Sequence, residues 1–246
     1  SEHPALPPVV AHGRKPDVFA CGFCHRADGP GGPENSALAG LPAAYIVQQM
    51  NDYKSGARRT AVPKRNIDLM IGLAKAATDA EIAEAAAYFS ALKPRQHTRV
   101  VETDTVPKTY VTFNHYVALP GAEKEPIGKR IVEVAENFEQ FQSRDTHARF
   151  IAYVPVGSVA RGEALVKTGG AGKTLACTSC HGPDLRGVGQ IPGIAGRSTN
   201  YTTRQLYDIK HGFRVGTLAL LMKEVVAKLE EDDMIAISAY LATLAP

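Results

Sequence analysis

The sequence predicts an all-α fold class, in which two tandem helical domains are joined by an ordered connecting segment with a few short strands. Three observations predict it: a set of residues recurs at a constant offset, helical periodicity closes each copy, and the stretch between the copies has strand-like patterns. The domains are expected at residues 1–93 and 158–246, with the connecting segment at 94–157.

Composition excludes several classes of protein. The 246 residues are 44% hydrophobic and 22% charged, and no apolar run approaches the ~18 residues that a membrane-spanning helix needs. A globular chain is therefore expected, rather than a collagenous, disordered or membrane-spanning one. The net charge of +3, from 28 basic and 25 acidic residues, is too balanced to favour a nucleic-acid partner.

The four cysteines fall in two pairs, and a histidine directly follows each pair, as CGFCH at 21–25 and CTSCH at 177–181. The spacing C-x-x-C-H is typical of c-type haem attachment. Two thiols one helical turn apart can form thioethers with the two vinyl groups of a porphyrin, and the adjacent imidazole then ligates the iron. The pattern predicts two covalently bound haem c groups, at Cys21, Cys24 and His25 and at Cys177, Cys180 and His181.

Other interpretations of a C-x-x-C pair are a thioredoxin-like dithiol and half of a zinc site. A second copy with its own histidine favours haem over both. A disulfide framework is not expected, because four cysteines are too few to stabilise a chain of this length.

An internal repeat surrounds both cysteine pairs. At the cysteine offset of 156, the matched pairs are Gly40 and Gly196, Tyr45 and Tyr201, Gln49 and Gln205, Asp52 and Asp208, Lys54 and Lys210, Gly56 and Gly212, and Arg58 and Arg214. Beyond the arginines the offset falls to 152, so the second copy is four residues shorter in that loop. So many matches indicate two copies of one domain.

The repeat also selects candidates for the sixth iron ligand. A methionine thioether commonly partners histidine in electron-transfer haems. Met70 and Met222 match at the offset of 152, whereas Met50 and Met234 align with other apolar residues, as expected of core positions. The candidate iron ligands are therefore His25, Met70, His181 and Met222. His115, in the connecting segment, is the alternative in which a histidine replaces a methionine.

The closing helices are predicted by their first turns. Thr78 and Glu81 form a capping box before a helical apolar pattern, and the acidic residues 230–233 begin the matching helix of the second copy. The run RGEALVKTG at 161–169 predicts an opening helix in the second copy. Prolines at 4, 7, 8 and 16 prevent a comparable helix in the first copy, so another part of the chain is expected to cover that face.

The connecting segment carries three β-branched and aromatic runs, at 109–119, 130–134 and 149–156. Its apolar content exceeds that of a solvated linker. We expect an ordered strap that wraps one or both domains and supplies cover to the first.

Together these motifs resemble the bacterial two-haem class I cytochromes c of the cytochrome c4 and c553-like family. The matching stretches are CGFCH and CTSCH, SALAG and PGIAG, YIVQQMNDYKSGARR and YTTRQLYDIKHGFR, the two methionines and the closing helices. The resemblance implies a helical bundle for each haem, His/Met ligation and single-electron transfer in the periplasm. In the family a proline carbonyl accepts the bond from the proximal histidine Nδ1; Pro192 fits that position, whereas Ser36 stands there in the first copy.

Haem propionates are carboxylates, and buried carboxylates need hydrogen-bond donors or positive charge. The candidates for this role are Tyr45, Arg58, Tyr201 and Arg214, with Lys54 and Lys210, and with Arg59, Lys64 and Arg65 in the first copy.

We expect a periplasmic di-haem cytochrome that is not an enzyme. It would carry single electrons from a dehydrogenase or quinol-oxidising complex to a terminal acceptor. The alternatives are a cytochrome subunit of a larger oxidoreductase, and a di-haem enzyme such as a peroxidase or sulfur-compound oxidoreductase. Expected partners are redox proteins, including a membrane complex at whose surface the chain would bind. Because such haem attachment occurs outside the cytoplasm, the sequence is expected to be a mature form.

Overall fold

The computed structural model describes residues 3–63, 65–112 and 115–246. Lys64, a candidate propionate ligand, and residues 113 and 114 of the predicted run 109–119 lie outside the described residues. We refer to residues 3–93 as the N-terminal unit, to 94–157 as the β segment and to 158–246 as the C-terminal unit.

The N-terminal unit is mainly helical. Its elements are α1 (Pro8–Ala11), β1 (Gly13–Arg14), β2 (Val18–Phe19), α2 (Cys21–His25), α3 (Ala43–Ser55), α4 (Arg65–Ala76) and α5 (Asp79–Ser90).

The β segment contains seven strands and one short helix among its described residues. They are β3 (Thr98–Glu102), β4 (Thr105–Pro107), β5 (Thr109–Thr112), β6 (His115–Ala118), β7 (Lys124–Pro126), β8 (Val132–Ala135), α6 (Phe138–Gln142) and β9 (Phe150–Val154).

The C-terminal unit repeats the helices of the N-terminal unit. Its elements are α7 (Ser158–Thr168), α8 (Thr178–His181), β10 (Gly187–Val188), β11 (Ile191–Pro192), α9 (Thr199–Lys210), α10 (Thr217–Val226) and α11 (Glu231–Thr243). Helices α3 and α9 begin at the offset of 156, and α5 and α11 begin at the offset of 152. The predicted repeat is therefore structural as well as sequential.

The first turn of α5 has the predicted capping box. The amide of Glu81 donates to Thr78 Oγ1 over 3.2 Å, and the amide of Thr78 donates to Glu81 Oε2 over 2.8 Å. In α11 the equivalent box joins Glu230 and Asp233. Both pairs satisfy amides that the helix itself leaves without partners.

The β segment is more extensively folded than the sequence predicted. Its main sheet has the strand order β3-β9-β8-β6-β5, and β4 pairs with β7 in a separate ribbon. The segment has its own core of Val106, Ile127, Val132 and Val134. About 41% of the chain is helical, so the all-α description is a simplification. The alternating runs pair with one another instead of lying as isolated strands along the helical units.

The main sheet packs against the C-terminal unit. Ile131 and Val154 of the β segment form a cluster with Ile235 and Ala239 of α11. On its other side α11 meets α7, where a Cβ at Gly162 would lie only 2.0 Å from the carbonyl oxygen of Ala236. The closing helix is therefore enclosed from two sides, and glycine permits the close approach of the two helices.

The N-terminal unit covers the face of α5 in a different way from the expected one. Val9 and Val10 of α1 belong to the core that contains the buried residues of α5. Arg14 donates to the carbonyl of Ala76 over 2.9 Å and pairs with Glu81 at 2.9 Å. The proline-rich segment itself, rather than the β segment, therefore packs here, and Pro8 stands at the first helical position, where proline is tolerated.

A buried carboxylate joins the β segment to α9. Glu133 is 1% exposed, and its Oε2 accepts hydrogen bonds from Ser198 Oγ and Thr199 Oγ1, both at 2.8 Å, and from the amide of Asn200 at 3.0 Å. Thr98 Oγ1 donates to Oε1 over 3.2 Å. Burial raises the pKa of Glu133, and these four donors act against that rise.

Of the helices in the described ranges, none has the length and apolarity that crossing a bilayer requires.

Replacing Glu133 by alanine is expected to lower the free energy of unfolding by about 1–3 kcal/mol, because buried donors lose their acceptor. Urea denaturation measures the change. Glu136→Ala is the control, since Glu136 pairs with the exposed Arg99 at 3.2 Å, and such pairs contribute at most ~1 kcal/mol. Equal effects of the two substitutions would contradict the assigned role of Glu133.

Candidate haem sites

A cavity of about 720 Å³, which we call the first cavity, is lined mainly by the N-terminal unit and also by residues of the β segment and of α9. Cys21, Cys24 and His25 of α2 line it, and so does Met70 of α4. The volume falls within the range of about 300–1,000 Å³ that is usual for cofactor and ligand pockets. The structure therefore brings the predicted attachment residues and the predicted methionine of the first copy to one cavity.

Both histidines predicted as proximal ligands donate to a backbone carbonyl. His25 Nδ1 donates to the carbonyl oxygen of Ser36 over 2.8 Å, and His181 Nδ1 donates to that of Pro192 over 2.8 Å. Burial lowers the pKa of each imidazole, and these bonds act in the opposite direction. A neutral ring that donates from Nδ1 keeps Nε2 available to a metal. Serine thus provides the same carbonyl as proline.

The cysteines lack the lowered thiol pKa of a redox dithiol. Burial raises the pKa of Cys21 and of Cys177 to about 11. Catalytic dithiols have a lowered pKa instead. Cys21 packs against the core of the N-terminal unit and Cys177 against that of the C-terminal unit. The two pairs therefore do not share one zinc centre.

The methionines separate into cavity and core positions. Met222 lies half-buried against the core of the C-terminal unit, and Met234 is 1% exposed within that core, as predicted. Met50 of α3 lines the first cavity together with Met70. The alignment of the two copies of the repeat predicts Met50 only as a core residue. Only Met70 has a methionine counterpart in the second copy, namely Met222.

The four candidate propionate residues meet at the interface between the two helical units. Arg58 Nη2 donates to the hydroxyl of Tyr201 over 2.8 Å, and Arg214 Nη2 donates to that of Tyr45 over 2.8 Å. Each arginine thus reaches the tyrosine of the other copy. The adjacent backbones also pair, with Arg59 N donating to the carbonyl of Phe213 over 2.7 Å.

The amide side chains of Gln49 and Gln205 complete this interface. Gln49 Oε1 accepts from Arg58 at 3.0 Å and from Arg214 at 2.8 Å, and Gln205 Oε1 accepts from the same two arginines at 3.0 and 3.2 Å. The sequence had the signal for this cluster, because all three residue types match at the offset of 156. Their meeting across the interface was not predicted.

The interface carries concentrated positive charge. Arg58 and Arg214 are 6% and 8% exposed, and their described acceptors here are neutral oxygens. Burial would raise the pKa of Tyr201, but the guanidinium groups of Arg58 and Arg214 bring it below the usual value of 10.0. A buried site of this kind favours an anion.

Haem fits these residues. Among the described residues, Arg214 Nε and Arg204 Nε are buried without a hydrogen-bond partner, and Arg204 and Arg58 line the first cavity. The unsatisfied Nε of Arg204, beside an apolar cavity, suits a porphyrin carboxylate, although Arg204 Nη1 already pairs with Glu34 Oε2 at 2.6 Å. The lysines fit less well, because Lys54 pairs with Asp79 at 2.8 Å and Lys210 donates to the carbonyl of Leu229. Arg59 and Arg65 do line the cavity.

The family model described as cytochrome c matches residues 159–245. Cytochrome c-554(547) of Halothiobacillus neapolitanus is 36% identical in an alignment of 85 residues that covers 30% of this chain and 93% of that protein. The chain belongs to the cytochrome c family. Longer relatives place it with the di-haem class I members of the cytochrome c4 type, and it accordingly binds two haem c groups covalently.

Two of those relatives match almost the whole chain. Cytochrome c4 of Pseudomonas aeruginosa is 27% identical over 91% of this chain and 83% of its own length. A protein of Thiomonas intermedia named thiosulfate dehydrogenase electron acceptor is 28% identical over 92% of this chain and 79% of its own. Each copy of the repeat therefore has its counterpart in these relatives.

Solved structures share the fold. Cytochrome c4 of Pseudomonas stutzeri superimposes with a TM-score of 0.58 at 24% identity, over 91% of this chain and 93% of that one. Thiosulfate dehydrogenase of Marichromatium purpuratum gives a TM-score of 0.65 at 26% identity, over 97% of this chain. This cytochrome spans only 39% of that longer chain.

We expect the two attachment sites to load independently, because each cysteine pair packs against its own core. The double substitution of Cys21 and Cys24 by alanine should leave a chain with one haem, and so should that of Cys177 and Cys180. Mass spectrometry of the denatured protein counts the attached groups. Loss of both haems from either variant would show that the sites depend on each other.

Proposed function

We propose that this cytochrome is a periplasmic electron carrier that takes single electrons from a dehydrogenase and delivers them to a terminal acceptor. The observation that carries the proposal is the duplicated site, in which each candidate proximal histidine donates to the backbone carbonyl at the matching position of its own copy over 2.8 Å. When bound, each haem supplies an iron that takes up or releases one electron between its ferric and ferrous forms. A carrier needs no group that binds or transforms a substrate.

The residues of the chain have distinct tasks in this proposal. The cysteine pairs form the thioethers, and His25 and His181 are the proximal ligands. Met70 and Met222 would ligate the irons through their thioethers, which would exclude exchangeable water and favour the ferrous form. Tyr45, Arg58, Tyr201 and Arg214 donate to propionates at the interface between the units. One haem belongs to each unit, with boundaries near residues 93 and 158.

The donor that we propose is a dehydrogenase that oxidises thiosulfate. Two similarities support it: the relative named as the electron acceptor of such an enzyme, and the resemblance of almost the whole chain to part of a solved thiosulfate dehydrogenase. Two one-electron centres in one chain let the carrier accept two electrons in one encounter.

The second candidate function is a cytochrome subunit of a larger oxidoreductase. The observation in its favour is that a chain of this fold forms 39% of the Marichromatium purpuratum protein. In both functions the chain transfers electrons and leaves substrate chemistry to its partner. They differ in whether the partner stays bound after transfer.

Replacing Met70 or Met222 by alanine should abolish the weak near-infrared sulfur-to-iron band of one haem and lower the potential of that haem, because the soft ligand is lost. Near-infrared spectra and a redox titration give both values. Met50→Leu is the control, since Met50 lines the same cavity as Met70. A lost band in the control and an intact band in Met70→Ala would make Met50 the ligand.

Oxidised cytochrome mixed with a thiosulfate dehydrogenase and thiosulfate should take up two electrons per chain, as both haems become reduced. Stopped-flow absorbance follows the reaction, and the same mixture without enzyme is the control. Reduction by a different dehydrogenase alone would reject the proposed donor. A stable complex on size-exclusion chromatography after transfer would favour the subunit over the free carrier.

A further inference from the structure

The residue directly after the proximal histidine differs between the two copies. Arg26 has φ 65° and ψ 159°, and its counterpart at the offset of 156, Gly182, has φ 86° and ψ 161°. This part of backbone space is almost reserved for glycine, because a Cβ is crowded there. Arg26 therefore carries backbone strain that Gly182 avoids, and its side chain must compensate for it.

The side chain of Arg26 is buried and bound to the β segment. It is 6% exposed, and its Nη1 donates to the carbonyl of Asp145 over 2.6 Å. Its Nη2 lies 3.4 Å from the carbonyl of Phe141, and the guanidinium lies 5.3 Å from the centroid of the Phe141 ring. Both acceptors belong to α6 or to the loop that follows it. The strained residue next to His25 thus binds a segment that is distant in sequence.

A second arginine makes the reverse contact from that loop to the haem-attachment helix. Arg144 donates to the carbonyl of Phe23, and its guanidinium lies 3.7 Å from the centroid of the Phe23 ring. Arg144 also has a positive φ, of 59°. In the second copy Ser179 stands where Phe23 does. The C-terminal unit therefore lacks the side chains that make either contact.

The segment held by these arginines forms one wall of the first cavity. Phe138, Phe141 and Arg144 line it, together with His115 of β6. The ring of Phe141 packs 4.7 Å from that of His115 and 5.6 Å from that of Phe150, centroid to centroid. The β segment meets the C-terminal unit differently, through α11 and Glu133.

We propose that residues 138–146, which we call the cover, shield the first haem from water and raise its potential, with Arg26 as the strained residue that positions them. The inference rests on the proposed function, in which each helical unit holds one electron-transfer haem. Excluding water disfavours the additional charge of ferric iron, and the adjacent guanidinium acts in the same direction. The cover acts on one haem only and makes the two sites inequivalent.

The test uses the full-length holoprotein in three variants. Arg26→Gly restores the residue of the second copy and removes a charge. Phe141→Ala opens the cover without a change of charge. Tyr110→Ala is the control, because Tyr110 is 44% exposed on β5 of the same segment and does not line the cavity. A redox titration followed by visible spectra resolves the two haems, and limited proteolysis reports on the cover.

Both Arg26→Gly and Phe141→Ala should shift the reduction equilibrium of one haem at least about threefold toward the oxidised form. That shift is about 28 mV at 59 mV per tenfold for one electron. The haem affected should be the one whose potential falls in Met70→Ala. Cleavage within 138–146 should be faster in both variants, and Tyr110→Ala should change neither readout.

The following outcomes would contradict the proposed role of the cover. A shift in Arg26→Gly without one in Phe141→Ala would reduce the effect to lost charge, and equal shifts of both haems would reduce it to general loosening. Unshifted potentials would remove any role in tuning. If Arg26→Gly fails to load haem, Arg26→Lys replaces it, since lysine keeps the charge but lacks the planar fork. A wild type with fewer than two haems by mass would instead refute the proposed function.

Discussion

The hydrogen bond between each candidate proximal imidazole and a backbone carbonyl is the contact on which the rest of the site depends. It fixes the orientation of His25 and His181 and the nitrogen that carries the proton. Each cysteine pair lies on the same turn of chain as its histidine, and the turn with Cys21, Cys24 and His25 lines the first cavity. Because the acceptor is main chain, the residue that provides it differs freely, and Ser36 serves as well as Pro192.

Local sequence determined what could be predicted. The capping box of Thr78 and Glu81 fixes where α5 begins, and the matching offsets carried the same boundary to α11. The cysteine spacing identified the cofactor because the dimensions of the porphyrin dictate it. The pairing of strands was beyond this reasoning, since β3 and β9 are neighbours in the sheet although about fifty residues separate them in sequence.

The interface shows the same limit for the site. The residue types suited to propionates were recognisable, but the sequence treated Tyr45 with Arg58 and Tyr201 with Arg214 as two independent sets. In the fold each arginine instead donates to the tyrosine of the other unit, Arg58 to Tyr201 and Arg214 to Tyr45. Because the two copies of the repeat face each other, their matched residues lie on opposite sides of the interface. Each arginine can therefore contact the tyrosine of the other copy. The periodicity of a single copy contains no information about that arrangement.

The enclosure of α11 makes the C-terminal unit depend on the β segment. This helix packs against α7 and α9 within its own unit and against the main sheet of the β segment. Its outward residues Ile235 and Ala239 rest on Ile131 and Val154. A fragment that begins at α7 would therefore expose these apolar side chains of α11 to solvent.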